Sequence, residues 1–149
     1  MSYCRSKLLS KKELHDGPWY NDVEITGGYM TATKRVLIVE DERPLSHALE
    51  LKLAHEGIDS TVVPNGQEAL DLLAKQHFDV MLLDMMMPVM DGFQVLEHLQ
   101  KMSSIPTVFA LSNLSVHDDQ ERVLAMGAKK YFIKSDTPLS LIVEEIKKA

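Results

Sequence analysis

Five short apolar runs recur along residues 34–149 with a helical pattern between each, and that alternation limits the fold more than any other feature. The runs are Val36 to Val39, Ser60 to Val63, Val80 to Leu83, Thr107 to Leu111 and Tyr131 to Ile133. Each has strand length, and most are apolar on consecutive positions. A strand reads that way when both of its faces are covered, as in a parallel sheet flanked by helices. Between the runs, one helical face collects Leu45, Ala48, Leu49 and Leu53, and a second collects Leu70, Leu73 and Ala74. A third gathers Val95, Leu96, Leu99 and Met102, and the last gathers Leu139, Ile142, Val143 and Ile146. Pro44 suits the first turn of the first helix and Gly57 its end, while Thr137-Pro138 offers a cap and a first-turn proline to the last. The stretch from Ser115 to Met126 has little apolar stripe, with His117-Asp118-Asp119-Gln120-Glu121-Arg122 at its middle, and is expected to be the least firmly packed helix. The pattern predicts right-handed crossovers and a doubly wound α/β sandwich around a five-stranded parallel sheet. Chemistry in such folds lies beyond the carboxyl ends of the strands.

Composition narrows the setting. No hydrophobic run exceeds four residues, whereas a membrane span needs about 18 to 20. The single cysteine, Cys4, cannot form an internal disulfide, and the first dozen residues lack the apolar stretch of a secretory signal. A cytoplasmic protein is therefore expected. The net charge of −6 resides in residues 34–149, where 12 basic side chains face 18 acidic ones, so nucleic acid is not an expected direct partner. Residues 1–33 have no sustained apolar period and read as an N-terminal extension outside the fold, non-native or disordered. Two readings of it stand: the native start is Met30, or the extension docks a partner through Trp19 and Tyr20.

The polar residues that follow the strands form a pattern. Glu40 and Asp41 follow the first, Asp84 the third, Ser112 the fourth and Lys134 the fifth. A like-charged pair about 4 Å apart costs roughly 4 kcal/mol at an effective dielectric constant of 20, so three carboxylates on one sheet edge call for a cation. Hard oxygen ligands beside a phosphoryl group point to Mg2+, with Mn2+ as a substitute.

The strings VLIVEDE (36–42), VMLLDMMMPVMDG (80–92), FALSN (109–113) and GAKKYFIKSD (127–136) resemble the receiver domain of bacterial two-component response regulators. The resemblance covers essentially all of residues 34–149. It implies a flavodoxin-like (βα)5 sandwich with strand order 2-1-3-4-5. It further implies that Asp84 accepts a phosphoryl group from a sensor histidine kinase or phosphotransfer protein. Asp41, with Glu40 partly through water, would hold Mg2+ together with Asp84 and the backbone carbonyl of Met86. Lys134 and Ser112 would contact the phosphoryl oxygens, and Tyr131 would be the coupled aromatic switch. Such a chain is not an enzyme with a separate substrate; it assists its own phosphoryl transfer and dephosphorylation, and a downstream protein reads its state. Only fifteen residues follow Lys134, which reads as a stand-alone, chemotaxis-regulator-like receiver; the alternatives are a fragment of a longer transcriptional regulator and a phosphorylation-independent pseudo-receiver. Dimerisation through the last two helices and the last strand fits the same resemblance.

Taken singly, each residue has a plainer explanation. Glu40-Asp41 could cap a helix, Ser112 could be a turn residue, Lys134 a solvated strand end, and Tyr131 part of the core; their joint order favours the site. Met85, Met86, Met87 and Met90 read as flexible apolar filler rather than a copper site. The six histidines, 15, 47, 55, 77, 98 and 117, lack ligand-like spacing. An aspartate-nucleophile phosphatase needs a second Asp at position 86, where this chain has Met. Three departures from the family pattern stand out. Asn113 replaces a small alanine and could narrow access to the phosphoryl site. Ser135 replaces a proline that often follows a cis peptide, and Pro106 leaves the register of the fourth strand open.

Overall fold

The computed structural model describes residues 23–26, 29–113 and 117–149. The chain divides into two compact units, Met1–Thr33 and Lys34–Ala149, each taken by itself here. In the first, β1 (Val23–Thr26) pairs antiparallel with β2 (Tyr29–Ala32), with Thr26 opposite Tyr29. Sequence reading had no element here, although Gly27-Gly28 between two four-residue runs is a hairpin signal. Trp19 and Tyr20, proposed as anchors, lie outside the described residues, as does the expectation of disorder for residues 1–22.

The second unit runs β3 (Arg35–Val39), α1 (Arg43–His55), β4 (Asp59–Val63), α2 (Gly66–Leu73), β5 (Val80–Asp84), α3 (Gly92–Leu99), β6 (Thr107–Ser112), α4 (His117–Ala125), β7 (Lys130–Ile133) and α5 (Leu139–Lys148). The strands form one parallel sheet in the order β4-β3-β5-β6-β7, which is 2-1-3-4-5 counted from β3. Successive side chains of a strand point to opposite faces, and the core divides accordingly. Leu37, Val39, Met81, Leu83, Val108 and Ala110 face α2, α3 and α4 through Ala69, Val95, Leu96, Leu99 and Val123. Val36, Ile38, Val80, Leu82, Phe109 and Leu111 face α1 and α5 through Leu49, Leu53, Ile142, Val143 and Ile146. Both faces of the three inner strands are thus buried, which is why their sequences read as unbroken apolar runs.

Local signals set most helix ends. Pro44 lies in the first turn of α1, and Gly57 beyond its end has φ 72°, a conformation open to glycine at little cost. Asn65 caps α2 by accepting from the Glu68 N–H at 3.0 Å, and Asp91 and Gln94 form a reciprocal capping box at α3. Two expectations need correction. Helix α2 ends at Leu73, leaving Ala74 exposed beyond the buried face. At α5, Pro138 is the residue before the first turn and no side chain caps it, so Thr137 is not the cap. Lys34 closes the other end of α5 by donating to the Ile146 carbonyl at 2.9 Å and the Lys147 carbonyl at 3.2 Å. Strand β6 starts directly after Pro106, and Leu111 pairs with Asp84, which settles its register. Among the described residues no helix is long and apolar enough to cross a membrane.

Candidate functional site

All the strands of this sheet run the same way, so their carboxyl ends share one edge and the residues after them converge there. Asp84 is the last residue of the central strand β5 and is 2% exposed. Glu40, directly after β3, and Ser112, the last residue of β6, are equally buried at 2% each. Asp41 beside Glu40 is exposed. One carboxylate oxygen from each of Glu40, Asp41 and Asp84 lies within 4.8 Å of the others.

Lys134 enters this acidic group from the end of β7, where its N–H donates to the Ser112 carbonyl at 2.8 Å. The strand pairing of β6 with β7 therefore aims it. Its Nζ sits 3.1 Å from Asp84 Oδ2 and straddles the Glu40 carboxylate, 3.0 Å from Oε1 and 2.8 Å from Oε2. The Lys134 side chain is only 6% exposed. Asp84 Oδ1 accepts from the Met86 N–H at 3.1 Å, which leaves Met86 where its backbone closes the loop after β5.

Sequence reading missed one participant. Glu42 Oε1 lies 3.3 Å from Lys134 Nζ and accepts from Asn113 Nδ2 at 3.4 Å. The residue stands inside the quoted VLIVEDE string, but nothing local signals a contact made 92 positions away.

The electrostatics show strain of charge. Burial pushes the Glu40 carboxyl up to about 7 against the pull of Lys134, and the Asp84 charge adds to the push. Burial also raises Asp84, against hydrogen bonds from the Met86 N–H and Lys134. Lys134 is held above its ordinary value because hydrogen bonds to Glu40 and Asp84 outweigh its own burial. A hydrogen bond from Lys134 lowers Glu42. Three carboxylates thus contact one ammonium, with Asp41 close to two of them, and the buried pair resists ionising together. A hard divalent ion answers that imbalance, and carboxylate oxygens are its preferred donors; the residues present fit Mg2+.

Beyond β5, toward β6 and α4, the lining is mostly apolar, with Asp91 and Asp119 at its edge. A cavity of about 530 Å3 is lined by Met85, Met86, Met87, Phe93, Val123 and Tyr131, and Ser112 reaches it. Tyr131 is half-buried in β7, opposite Ala110. The methionines divide by position: Met85 is 3% exposed and packs in the core, whereas Met86 is 59% exposed. The Lys134–Ser135 peptide bond is trans.

Gly92 fixes the geometry at the end of β5. A Cβ there would meet the Met85 Cα at 2.7 Å and the Asp84 carbonyl oxygen at 2.8 Å, closer than real contacts allow. The Gly92 N–H donates to the Met85 carbonyl at 3.2 Å. Only glycine lets α3 begin this close to β5.

Residues 36–146 match the family model of the response regulator receiver domain. A probable transcriptional regulator, ycf27 of Porphyridium aerugineum, is 33% identical over 108 residues, which cover 72% of this chain and 45% of the relative. The chain therefore spans under half the length of that curated relative. The receiver domain of a Francisella response regulator superposes with a TM-score of 0.74 at 28% identity, covering 78% of this chain and 95% of that one. The response regulator TrrA of Thermotoga maritima, solved in complex with Mg2+ and a beryllium fluoride, gives 0.68 at 28% identity, over 78% of this chain and 98% of that one. By its sequence match, its sheet order and these likenesses, the chain belongs to the response regulator receiver domains of two-component signalling.

Proposed function

We propose that the chain is a phosphorylation-activated switch in which Asp84 accepts a phosphoryl group from a sensor histidine kinase or phosphotransfer protein. The observation that carries this reading is a carboxylate at the end of the central strand, buried yet held 3.1 Å from Lys134 and grouped with the Glu40 and Asp41 carboxylates. An ionised carboxylate is itself the nucleophile and needs no general base. One Asp84 oxygen forms the new bond to phosphorus as the bond to the donor breaks. Glu40, Asp41, Asp84 and the Met86 carbonyl would hold Mg2+, with Mn2+ as a substitute. When bound, such an ion neutralises charge on the phosphoryl oxygens in transfer. The likeness to a receiver solved with Mg2+ and beryllium fluoride supports the assignment.

Lys134, 3.1 Å from Asp84, would pair with one phosphoryl oxygen, and the hydroxyl of Ser112 at the end of β6 would donate to another. Contacts made better in one conformation than the other bias a two-state element. Driving a population from 1:99 to 99:1 takes about 5.5 kcal/mol, a sum that several charge-assisted hydrogen bonds reach. Tyr131 beside the cavity, with α4 and α5, is the surface that would carry the change to a partner protein. Leu124 and Leu141 are exposed on those two helices, 38% and 42%, which suits dimerisation there. We place the chain outside the enzymes, since its phosphoryl transfer acts on its own Asp84.

One relative favours a second setting for the same switch. Its name is that of a transcriptional regulator and it is more than twice the matched length, so the receiver would be the regulated part of a longer regulator. Both settings share one test. Intact-mass analysis after incubation with Mg2+ and a small phosphodonor is expected to show one phosphoryl group on the native chain and none on Asp84→Ala. A folded native chain that stays unmodified would leave only a pseudo-receiver.

A further inference from the structure

Glu42 occupies the residue position just before α1, where short side chains such as Asp or Ser ordinarily accept from the helix's first N–H groups. It makes no such bond. Its carboxylate turns back over the acidic group instead, 3.3 Å from Lys134 Nζ and 3.4 Å from Asn113 Nδ2. That contact joins the residues after β3 to the residue after β6 on the exposed side of Lys134. The two partners differ in depth. Lys134 is 6% exposed and Glu42 53%, so Glu42 is the outer member and Lys134 the inner one. Its backbone is also held, since the Glu42 N–H donates to Glu40 Oε1 at 3.1 Å. A fixed negative charge therefore stands between solvent and the group that would receive the phosphoryl oxygens.

We propose that Glu42 is a specificity-determining residue that selects phosphodonors by charge, disfavouring small dianionic donors relative to those carrying a compensating positive charge. The inference rests on Asp84 being the phosphoacceptor and adds a gate in front of it. Acetyl phosphate and phosphoramidate provide the contrast. The first is a dianion at neutral pH; an Asp84 oxygen bonds to phosphorus, the phosphorus–oxygen bond to acetate breaks, and acetate leaves with the electron pair. The second carries a protonated nitrogen and a single net negative charge. There the phosphorus–nitrogen bond breaks and ammonia leaves. One charge a few ångströms away in a water-like dielectric alters a rate by about threefold per unit of donor charge.

The test measures Asp84 phosphorylation by intact mass under saturating Mg2+, with each donor, for native protein and Glu42→Gln. Glutamine keeps the shape and can still accept from Asn113, so only the charge is removed. The expected result is an acetyl phosphate to phosphoramidate rate ratio raised about threefold in the variant. Added salt is expected to shrink the difference in ratio between native protein and variant, because it screens Glu42. An unchanged ratio in the variant, or equal acceleration with both donors, overturns the gate and leaves the phosphoacceptor intact. Failure of both donors to modify the folded native chain overturns the phosphoacceptor reading and the gate with it.

Discussion

The two sides of Asp84 are built on opposite principles. Toward β3 the neighbours are charged and interlocked: Glu40, Glu42 and Asp84 all touch one ammonium, itself buried. Toward β6 and α4 the neighbours are mostly apolar and surround a cavity of about 530 Å3. The helices differ in the same sense. Helix α5 buries Ile142, Val143 and Ile146 and has Lys34 across its last carbonyls. Among the described residues of α4 only Val123 is fully buried, with Arg122 set 4.3 Å over the Phe93 ring as a second anchor. A switch needs both kinds of wall: one that holds charge in place and one that can repack at small cost, because local openings concentrate where buried apolar contacts are few.

Breaking the charged side should have the largest effect. Lys134→Ala removes the only cation that touches Glu40 and Asp84 among the described residues, and losing one partner of a buried pair typically costs about 3–5 kcal/mol. Urea denaturation in chelator is expected to show a loss of that order, and Mg2+ is expected to restore much of it. If the variant is as stable as native protein without metal, the charged side is not interlocked as drawn.

The loose side should yield less. Val123→Ala removes two methyl groups from the one fully buried position among the described residues of α4, a loss of about 1–3 kcal/mol including the cavity left behind. Amide exchange in native protein sharpens the contrast, with α4 expected to open at lower free energy than α5. Equal protection of the two helices would remove the distinction.

The smallest expected effect is on pH. The Glu40 carboxyl is pushed up to about 7 by burial, and Asp84 is raised by the same cause. A raised folded-state value means that the neutral form is favoured in the fold. The resulting stability is present in full below the unfolded value and is lost as pH rises through about 7. Metal-free protein is therefore expected to lose stability from pH 5 to pH 8. Glu42, held low by Lys134, acts at the acid end instead, where its contribution is lost as pH falls below its ordinary range. Urea midpoints from about pH 3 to about pH 8, with chelator and with Mg2+, separate the two, since bound metal should abolish the loss at high pH.

Much of this was open to reading in the chain itself. Val36 to Val39 and Val80 to Leu83 announce a sheet covered on both faces because parallel strands leave no polar side. The acids, Ser112 and Lys134 could be placed on one edge because strands of one direction end together. The exceptions have physical reasons. Strands β1 and β2 are four residues each, too short for periodicity to rise above noise, although Gly27-Gly28 was a signal available and unused. The contact of Glu42 with Lys134 depends on where a side chain turns after the backbone is placed, and neither spacing nor residue type records that. Tyr131 showed as an aromatic in a strand; that it borders a cavity shared with Ser112 and Phe93 depends on three separated segments.

The missing side chain at position 92 has a mechanical consequence. With Met85 and the Asp84 carbonyl resting directly on the first turn of α3, no compressible methyl group lies between the tip of β5 and the rod beside it. A displacement of a few tenths of an ångström at that tip has nothing to cushion it, so α3 would travel with the strand as one stiff piece while the softer neighbour across the cavity absorbs the mismatch.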